Sequence, residues 1–204
     1  MTGHASPFTF LSLERDFIFD YDWIIKNLQL VETPQYQGRY RKYWAMNAAR
    51  LSAPWCDAYF GELRSALDCP TSLGDLVDRL YGMPTHGNGR RSLQFSFATK
   101  LLHTADRRTP IYDSFVASFY FFQPLDGDRA LQDRIDHLLS FQNFLSAEYK
   151  RILENGFLAS SIQAFRSKFN PQHFTDVKIV DLLIWAWAKV LNQGGLIERR
   201  IVFR

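Results

Sequence analysis

The fold is decided by residues 87–114, which read GNGRRSLQFSFATKLLHTADRRTPIYDS. A glycine-rich turn begins the stretch, and apolar residues at helical spacing follow from Ser92 to Ala105. A basic loop comes next, and Asp113 then stands directly before another apolar run. Asp is a favoured N-cap, because its side chain accepts hydrogen bonds from unpaired amides of the first helical turn. The stretch therefore predicts a turn, a helix, a loop and a second helix capped by Asp113.

Positive charge is concentrated in the same region. The segment from Pro84 to Pro110 carries five basic residues and one acidic residue, a net charge of +4, whereas the whole chain has +3. The basic residues are Arg90, Arg91, Lys100, Arg107 and Arg108. A cluster of this kind favours a polyanionic partner, and a solvated basic surface is the alternative. Nucleic acid is therefore a hypothesis for the partner at this point.

The order of these elements resembles the helix-hairpin-helix DNA glycosylases, the oxoguanine-glycosylase type in particular. The features that carry the resemblance are Gly87-Asn88-Gly89, the basic residues after it, an amphipathic helix, and Pro110-Ile111-Tyr112-Asp113 at the next helix. They lie within residues 81–122, about a fifth of the chain. Residues 95–103 and 110–114 also resemble a group of uncharacterised bacterial proteins, which suggests a bacterial origin and implies no activity.

The glycosylase resemblance implies a role for each part of the stretch. A helix-hairpin-helix unit near residues 72–105 would place the amides of Gly87 and Gly89 on a DNA phosphate, together with Arg90 and Arg91. Asp113 would assist the departure of a base from its sugar. The same resemblance implies DNA N-glycosylase activity or descent from such an enzyme. A non-enzymatic helical module that binds nucleic acid or protein through residues 84–110 is the alternative.

One departure from the family concerns the nucleophile. The position that aligns with the family's lysine is Arg91, and a guanidinium stays protonated and cannot form an imine. Lys100 lies nine residues further along. This spacing corresponds to about 13 Å in a helix. We therefore expect any base excision to be monofunctional, with water as the nucleophile and no lysine–DNA imine.

Lys100 and Asp113 are the candidate catalytic residues, and each has a structural alternative. Asp113 can serve as a helix cap alone. Lys100 has apolar neighbours, which can lower its pKa and make it nucleophilic. The alternative that we favour is a pairing of its ammonium with a carboxylate such as Asp113. His103 in the same helix is expected to be a hydrogen-bonded structural residue rather than a base.

Residues 39–44 combine basic and aromatic side chains in the sequence RYRKYW. Basic residues interleaved with aromatics can bind single-stranded nucleic acid by stacking. The helical spacing of Tyr40, Tyr43 and Trp44 instead favours an aromatic face in the core, with Arg39 and Lys42 pointing outward. We expect the core interpretation to hold.

Apolar periodicity and capping residues predict helices along the rest of the chain. The predicted helices cover residues 11–30, 39–44, 52–67, 72–81, 92–105, 112–122, 129–154 and 158–169, and a last one runs from Thr175 or Asp176 to a stop at Gly194-Gly195. The prediction is an all-α fold of about eight helices. We expect one helical domain over residues 1–204, with two closely packed lobes and a hairpin unit near residues 72–122 as the alternative.

Composition narrows the remaining classes. The chain has 204 residues, 47% of them hydrophobic, which is enough for a substantial core. Cys56 and Cys69 form no metal-binding or disulfide pattern, and residues 1–10 have no secretory signal, so we expect a cytoplasmic protein. The five histidines are scattered, and phosphate-loop, dinucleotide and serine-hydrolase motifs do not occur in the sequence. We therefore expect no metal, no cofactor and no membrane association.

Overall fold

The computed structural model describes residues 15–193, 196–197 and 200–201, with side chains from residue 16 to residue 192. Within this part the chain forms nine α-helices, joined by loops and two short 3-10 turns. The helices are α1 (Arg15–Lys26), α2 (Pro34–Tyr43), α3 (Ala53–Asp68), α4 (Leu73–Gly82), α5 (Phe95–Ala105), α6 (Ser114–Phe119), α7 (Leu131–Glu154), α8 (Ala159–Phe169) and α9 (Asp176–Gln193). The prediction of an all-α fold is confirmed.

Side-chain caps fix the starts of several helices where the sequence predicts them. The Ser52 hydroxyl accepts from the Trp55 amide at 3.2 Å, and the Ser72 hydroxyl accepts from the Asp75 amide at 3.1 Å. The Thr175 hydroxyl accepts from the amide of residue 178 at the start of α9. Each cap satisfies an amide that the helix itself leaves unpaired.

The core consists of two adjoining clusters. The larger one packs α1–α5 against α7, α8 and α9, and its fully buried side chains include Tyr21, Trp55 and Tyr59. The smaller one lies between α6, α7 and α9, around Val116 and Tyr149. Helix α9 contributes to both clusters, so its residues face apolar neighbours on most sides. In the described part of the chain, no helix combines the length and the apolarity needed to cross a membrane.

The aromatic residues of the basic–aromatic segment lie in the core. Tyr40, Tyr43 and Trp44 are buried, while Arg39 is partly exposed and pairs with Asp20 at 2.7 Å. The core interpretation of this segment is therefore confirmed for its aromatic face.

Helices α4 and α5, the predicted arms of the hairpin, pack against each other, but their connection differs from the predicted one and the hairpin unit stays a prediction. Helix α5 begins at Phe95 rather than at Ser92. The physical reason is Thr85, whose hydroxyl accepts from the Ser92 amide at 3.0 Å and lies 3.2 Å from the Ser92 carbonyl as a donor. These bonds hold residue 92 outside the helix, so the glycine-rich turn is separated from α5 by residues 90–94.

Helix α6 is shorter than the predicted helix over residues 112–122. It ends at Phe119, where the Phe122 amide donates to the Ala117 carbonyl and the Phe121 amide donates to the Ser118 carbonyl. This bonding closes the helix and requires a left-handed residue, usually glycine, at position 121. Phe121 has φ = 55° and is 93% exposed. The other aromatic residues of this segment are half-buried, so Phe121 is its one fully solvated ring.

The C-terminal half follows the predicted order. Helix α7 ends at Glu154, and Gly156 with φ = 67° turns the chain. The predicted stop of α9 at Gly194-Gly195 lies outside the described residues, and so does the first part of the predicted helix over residues 11–30. Beyond α9, strands β1 (Leu196–Ile197) and β2 (Arg200–Ile201) pair in antiparallel fashion.

A buried hydrogen-bonded chain joins α1 to α5. The Nδ1 atom of His103 lies 2.7 Å from the Thr109 carbonyl, and its Nε2 atom lies 2.7 Å from the Tyr21 hydroxyl. A carbonyl only accepts, so Nδ1 carries the proton and Nε2 accepts from Tyr21. His103 is fully buried, and this burial lowers its pKa to about 3, with the charge of Lys178 acting in the same direction. His103 is a hydrogen-bonded structural residue, as predicted.

The neutral state of His103 predicts a pH dependence of stability. The unfolded chain binds a proton on this residue below about pH 6.5, whereas the folded chain binds it only near pH 3. The stabilising contribution is complete above the unfolded pKa and is lost as the pH falls, by about 1.4 kcal/mol per pH unit. Urea titrations at several pH values between these two pKa values give the free energy of unfolding as a function of pH. His103→Gln should remove the contribution of this residue to that pH dependence. An identical slope in both proteins would contradict the assignment.

Candidate functional site

The predicted basic residues form two groups rather than one. Arg90 and Arg91 are exposed at the glycine-rich turn before α5, and Arg107 and Arg108 are exposed in the loop after it. Helix α5 has 11 residues. A helix of this length separates the two groups by about 16 Å.

Local bonding differs between the two groups. Arg108 forms a bidentate ion pair with Asp106, with contacts of 2.9 to 3.2 Å, so its charge is compensated. Arg90 and Arg91 form no ion pair with any residue in the described part of the chain. Uncompensated positive charge therefore lies mainly at the turn.

The turn itself is closed by its own hydrogen bonds. The Gly89 amide donates to the His86 carbonyl at 3.0 Å, and the Arg90 amide donates to the Asn88 side chain at 3.1 Å. Gly89 has φ = 80°, a conformation that favours glycine. Gly87 and Gly89 thus shape the turn, and the side chains of Arg90 and Arg91 are the groups that extend from it.

Lys100 and Asp113 meet at a cavity of about 130 Å³. Lys100 comes from α5, and Asp113 comes from the segment before α6. The cavity is also lined by aromatic side chains, namely Phe17, Tyr43, Trp44 and Trp185, and by Ala45, Ile111, Lys178, Asp181 and Leu182. The exposed and half-buried residues, such as Ala45 and Phe17, lie on the solvent side, and the buried ones form the floor.

Asp113 has the capping role that the sequence predicts. Its Oδ1 atom accepts from the Phe115 amide at 2.9 Å, and the residue is half-buried. This bond satisfies an amide that the first turn of α6 leaves unpaired, and it fixes the orientation of the Asp113 side chain. The cap therefore places an anionic group at the cavity in a fixed orientation.

The favoured ion pair between Lys100 and Asp113 is not formed. Lys100 has no carboxylate within ion-pair distance among the described residues, and its ammonium lies 5.0 Å from the Phe97 ring centre and 5.7 Å from that of Trp44. Burial lowers the pKa of Lys100, and the charge of Lys178 lowers it further. The charge of Asp113, and less strongly that of Asp181, opposes this lowering of the pKa.

The floor of the cavity contains a buried ion pair that sequence analysis missed. The Lys178 ammonium lies 3.2 Å from Asp181 Oδ2, and the two side chains are only 2% and 7% exposed. Asp181 Oδ1 also accepts from the Tyr149 hydroxyl at 3.4 Å. Burial lowers the pKa of Lys178 and raises that of Asp181, while their mutual attraction opposes both shifts. A signal was present, because these opposite charges are three residues apart and are followed by a long apolar run in the same helix.

Backbone strain accompanies the cavity. Ala45, at its rim, has φ = 55° and ψ = 27°, a left-handed conformation that costs energy for a residue with a Cβ atom. Such outliers cluster at functional sites, where the surrounding structure holds them.

Two other grooves of about 420 Å³ are lined by Asp106 and Arg108, but neither contains Lys100 or Asp113. A further groove of about 410 Å³ is lined mainly by apolar residues of α6–α9, with Glu148 and Arg151 paired at its side. None of the predicted site residues lies in that groove. In the part of the chain that the structure describes, no group of three or more His, Cys, Asp or Glu residues could hold a metal ion. The 130 Å³ cavity is therefore the best candidate for a chemical site.

The fold and the cavity define an all-α protein with a charged, aromatic-lined site. No family model, no curated protein and no solved structure matches the chain. The relationship to helix-hairpin-helix glycosylases therefore stays a prediction.

The buried pair predicts a non-additive effect on stability. Asp181→Asn leaves the Lys178 ammonium buried without a charged partner and should lower the free energy of unfolding by about 3–5 kcal/mol. The double variant Lys178→Met with Asp181→Asn should be more stable than Asp181→Asn alone, because no unpaired charge remains.

Urea unfolding measures both variants. The matched control is Glu154→Gln, which breaks the exposed pair of Lys150 and Glu154. Its effect should be within about 0.5 kcal/mol. If Asp181→Asn and the double variant lost the same free energy of unfolding, burial of the Lys178 ammonium would not depend on its pairing with Asp181.

Proposed function

We propose that this protein binds DNA and removes a base from it, with Asp113 and Lys100 as catalytic residues. The observation that carries the proposal is that both residues line the same aromatic cavity, although they come from different elements. An enzyme that acts on a base must take it out of the stack and enclose it between apolar or aromatic side chains. A non-enzymatic module has no need of such a space beside Asp113.

The carboxylate of Asp113 supplies the electrostatic part of the reaction. Departure of a base leaves positive charge on the sugar, and a fixed anion beside the sugar stabilises that charge in the transition state. The bond from Asp113 to the Phe115 amide holds the carboxylate in place before substrate binds. Little reorganisation is then needed during the reaction.

Lys100 supplies the nucleophile in this proposal, which revises the expectation of a water nucleophile. The expectation of a water nucleophile was based on the distance between Lys100 and the glycine-rich turn. In the structure Lys100 lines the same cavity as Asp113, so its distance from the turn does not keep it away from the candidate site. The lowered pKa of Lys100 increases the fraction of free amine. The amine attacks the anomeric carbon of the sugar, the bond between this carbon and the base breaks, and the bonding electrons leave with the base, which takes up the proton that the attacking nitrogen loses. The bond from the same carbon to the ring oxygen then breaks, the oxygen takes up the second proton of the nitrogen, and the resulting imine is the species that borohydride reduces.

The basic groups supply the DNA contacts. The side chains of Arg90 and Arg91 are exposed and uncompensated, so they are the first candidates for phosphate contacts, with Gly87 and Gly89 shaping the turn that presents them. Arg107 and Arg108 form a second group at the other end of α5. Arg108 contributes less there, because Asp106 compensates its charge.

The catalytic assignment predicts different consequences for three variants. Asp113→Asn should keep most of the stability, because Asn is also a good cap, but should abolish base release. Asp113→Ala should lose about 1 kcal/mol of stability as well. Lys100→Gln should abolish both base release and the adduct that borohydride traps between the protein and DNA.

The assay is base release and borohydride trapping on duplexes that each contain one modified base. Arg91→Gln is the matched control and should still form the trapped adduct. An Asp113→Asn variant with full activity would refute the catalytic role of this carboxylate. An adduct that persists in Lys100→Gln would assign the nucleophile to another residue.

The DNA contacts predict a salt dependence. Each phosphate contact adds about 0.9 to the slope of log K against log salt, so Arg90→Ala with Arg91→Ala should reduce the slope by about 2. The matched control is Lys150→Ala with Glu154→Ala, which removes one charge of each sign from an exposed ion pair outside the proposed interface and should leave the slope unchanged. Binding of a labelled duplex at several salt concentrations measures all three proteins. An unchanged slope in the Arg90 and Arg91 variant would exclude the turn from the DNA interface.

A further inference from the structure

The loop that follows α2 packs beside the glycine-rich turn. The Ser52 amide donates to the Thr85 carbonyl at 2.8 Å, and the Ser52 hydroxyl donates to the Pro84 carbonyl at 2.8 Å. The His86 ring adds a third bond, with Nδ1 at 3.3 Å from the Arg50 carbonyl. A carbonyl only accepts, so Nδ1 carries a proton and donates it. These bonds fix the loop against the turn.

His86 brings together two arginines that are far apart in the sequence. Its amide donates to the Arg90 carbonyl at 3.1 Å, while its ring donates to the Arg50 carbonyl. Arg50, Arg90 and Arg91 are exposed, and none of them forms an ion pair with a residue that the structure describes. The turn therefore belongs to a patch of three uncompensated positive charges, which we call the arginine patch.

The two stretches of sequence that meet at the arginine patch contain no acidic residue. Residues 33–56 include four basic residues, and residues 79–105 include four as well. Of these eight, Arg39 and Arg79 pair with carboxylates from other stretches. Neither stretch supplies a carboxylate that could compensate the patch, so the patch favours an anionic partner.

Backbone strain is concentrated in the same loop. Arg50 has φ = 50° and ψ = 44°, and Ala45 at the rim of the cavity has φ = 55° and ψ = 27°. Both conformations are left-handed and cost energy in a residue with a Cβ atom. They flank the 3-10 turn Met46–Ala49. A solvated basic surface does not require a loop of this fixed shape, whereas a binding surface does.

The loop also joins the arginine patch to the cavity. Ala45 lines the cavity, and Arg50 ends the 3-10 turn that begins beside it. A 3-10 helix rises about 2.0 Å per residue, so these two residues are about 10 Å apart. Phosphates of one DNA strand follow each other at about 3.4 Å along the helix axis. The patch is therefore about three phosphates away from a base that enters the cavity.

We infer that Arg50 is a third phosphate-binding residue and that the arginine patch holds the strand whose base enters the cavity, within about three phosphates of that base. A guanidinium suits this role because it stays charged and can donate two parallel hydrogen bonds to a phosphate. The inference rests on the proposed function for its ligand, DNA. It concerns binding alone, so it can be tested apart from base release.

The first experiment measures the salt dependence of binding to a duplex that contains one tetrahydrofuran abasic-site analogue. Arg50→Gln removes the charge and keeps a long polar side chain, so the slope of log K against log salt should fall by about 0.9. Arg50→Lys is the matched control, because it keeps the charge at the same backbone position, and it should retain the wild-type slope. An unchanged slope in Arg50→Gln would overturn the inference, and so would an equal fall in both variants.

The second experiment locates the contact on the strand. Each duplex carries the same analogue and one uncharged methylphosphonate, placed at a different position on the strand of the analogue. At a position within about three phosphates of the analogue, this change should weaken binding to the wild type about tenfold and leave binding to Arg50→Gln unchanged. If no position in this range distinguishes the two proteins, the role of Arg50 is refuted.

These experiments separate the inference from the proposed function. If the wild type releases a base while Arg50→Gln shows neither effect, the inference fails and the proposed function stands. If both effects appear but no modified base is released from any duplex, the proposed function fails and the phosphate contact stands. A wild-type protein that binds no duplex at all would overturn both.

Discussion

The structure depends on the burial of two opposite charges in one helix. Lys178 and Asp181 lie in α9, almost without exposure to water, and neither could be buried alone at a tolerable cost. Their pairing allows α9 to pass through both core clusters with a polar spot on an otherwise apolar surface. The Tyr149 hydroxyl of α7 completes the pair on one side, and the Trp44 ring covers the ammonium on another. Three parts of the chain, namely α9, α7 and the residue after α2, therefore meet at the buried pair.

This arrangement explains why the cavity has charged and aromatic walls together. A lysine ammonium over an indole ring is stabilised by the negative face of the ring, so Trp44 can border both Lys178 and Lys100. The two ammonium groups also disfavour each other, which is one reason why the pKa of Lys100 is lowered. The buried pair of Lys178 and Asp181 therefore affects the pKa of Lys100 through its charges, and it also forms the floor of the cavity that Lys100 lines.

Much of the fold could be predicted from the sequence, because local physics determines helix starts and helix faces. Ser52, Ser72 and Asp113 are caps by residue type and position, and the structure places each of them as a cap. The long apolar stripe of α7 and the Asn-Gly pair after Glu154 likewise fix that helix within a few residues. Periodicity also placed the aromatic face of residues 39–44 in the core.

The candidate site was predictable only in part, because its composition depends on contacts between distant segments. The sequence singled out Lys100 and Asp113, but it suggested an ion pair where the structure has a cavity between apolar and charged walls. The basic residues are close together in the sequence, which suggested a single cluster. In the structure, helix α5 separates them into two groups. The start of α5 was misplaced because a threonine from the preceding loop, Thr85, binds the backbone at Ser92. None of these partners can be read from a local pattern.

Helix α6 is fastened at both ends, by a different kind of contact at each. At its start, Asp113 accepts an amide hydrogen bond and is anchored beside the buried Ile111. At its end, Phe121 has a left-handed backbone and is almost fully solvated, but its neighbours pack on α7: Phe122 stacks on Phe141 at 4.0 Å, and Tyr120 meets Phe144. The two rings on either side of Phe121 therefore hold the unfavourable backbone conformation in place. The short segment that carries the carboxylate is thus clamped between a polar anchor and an aromatic one.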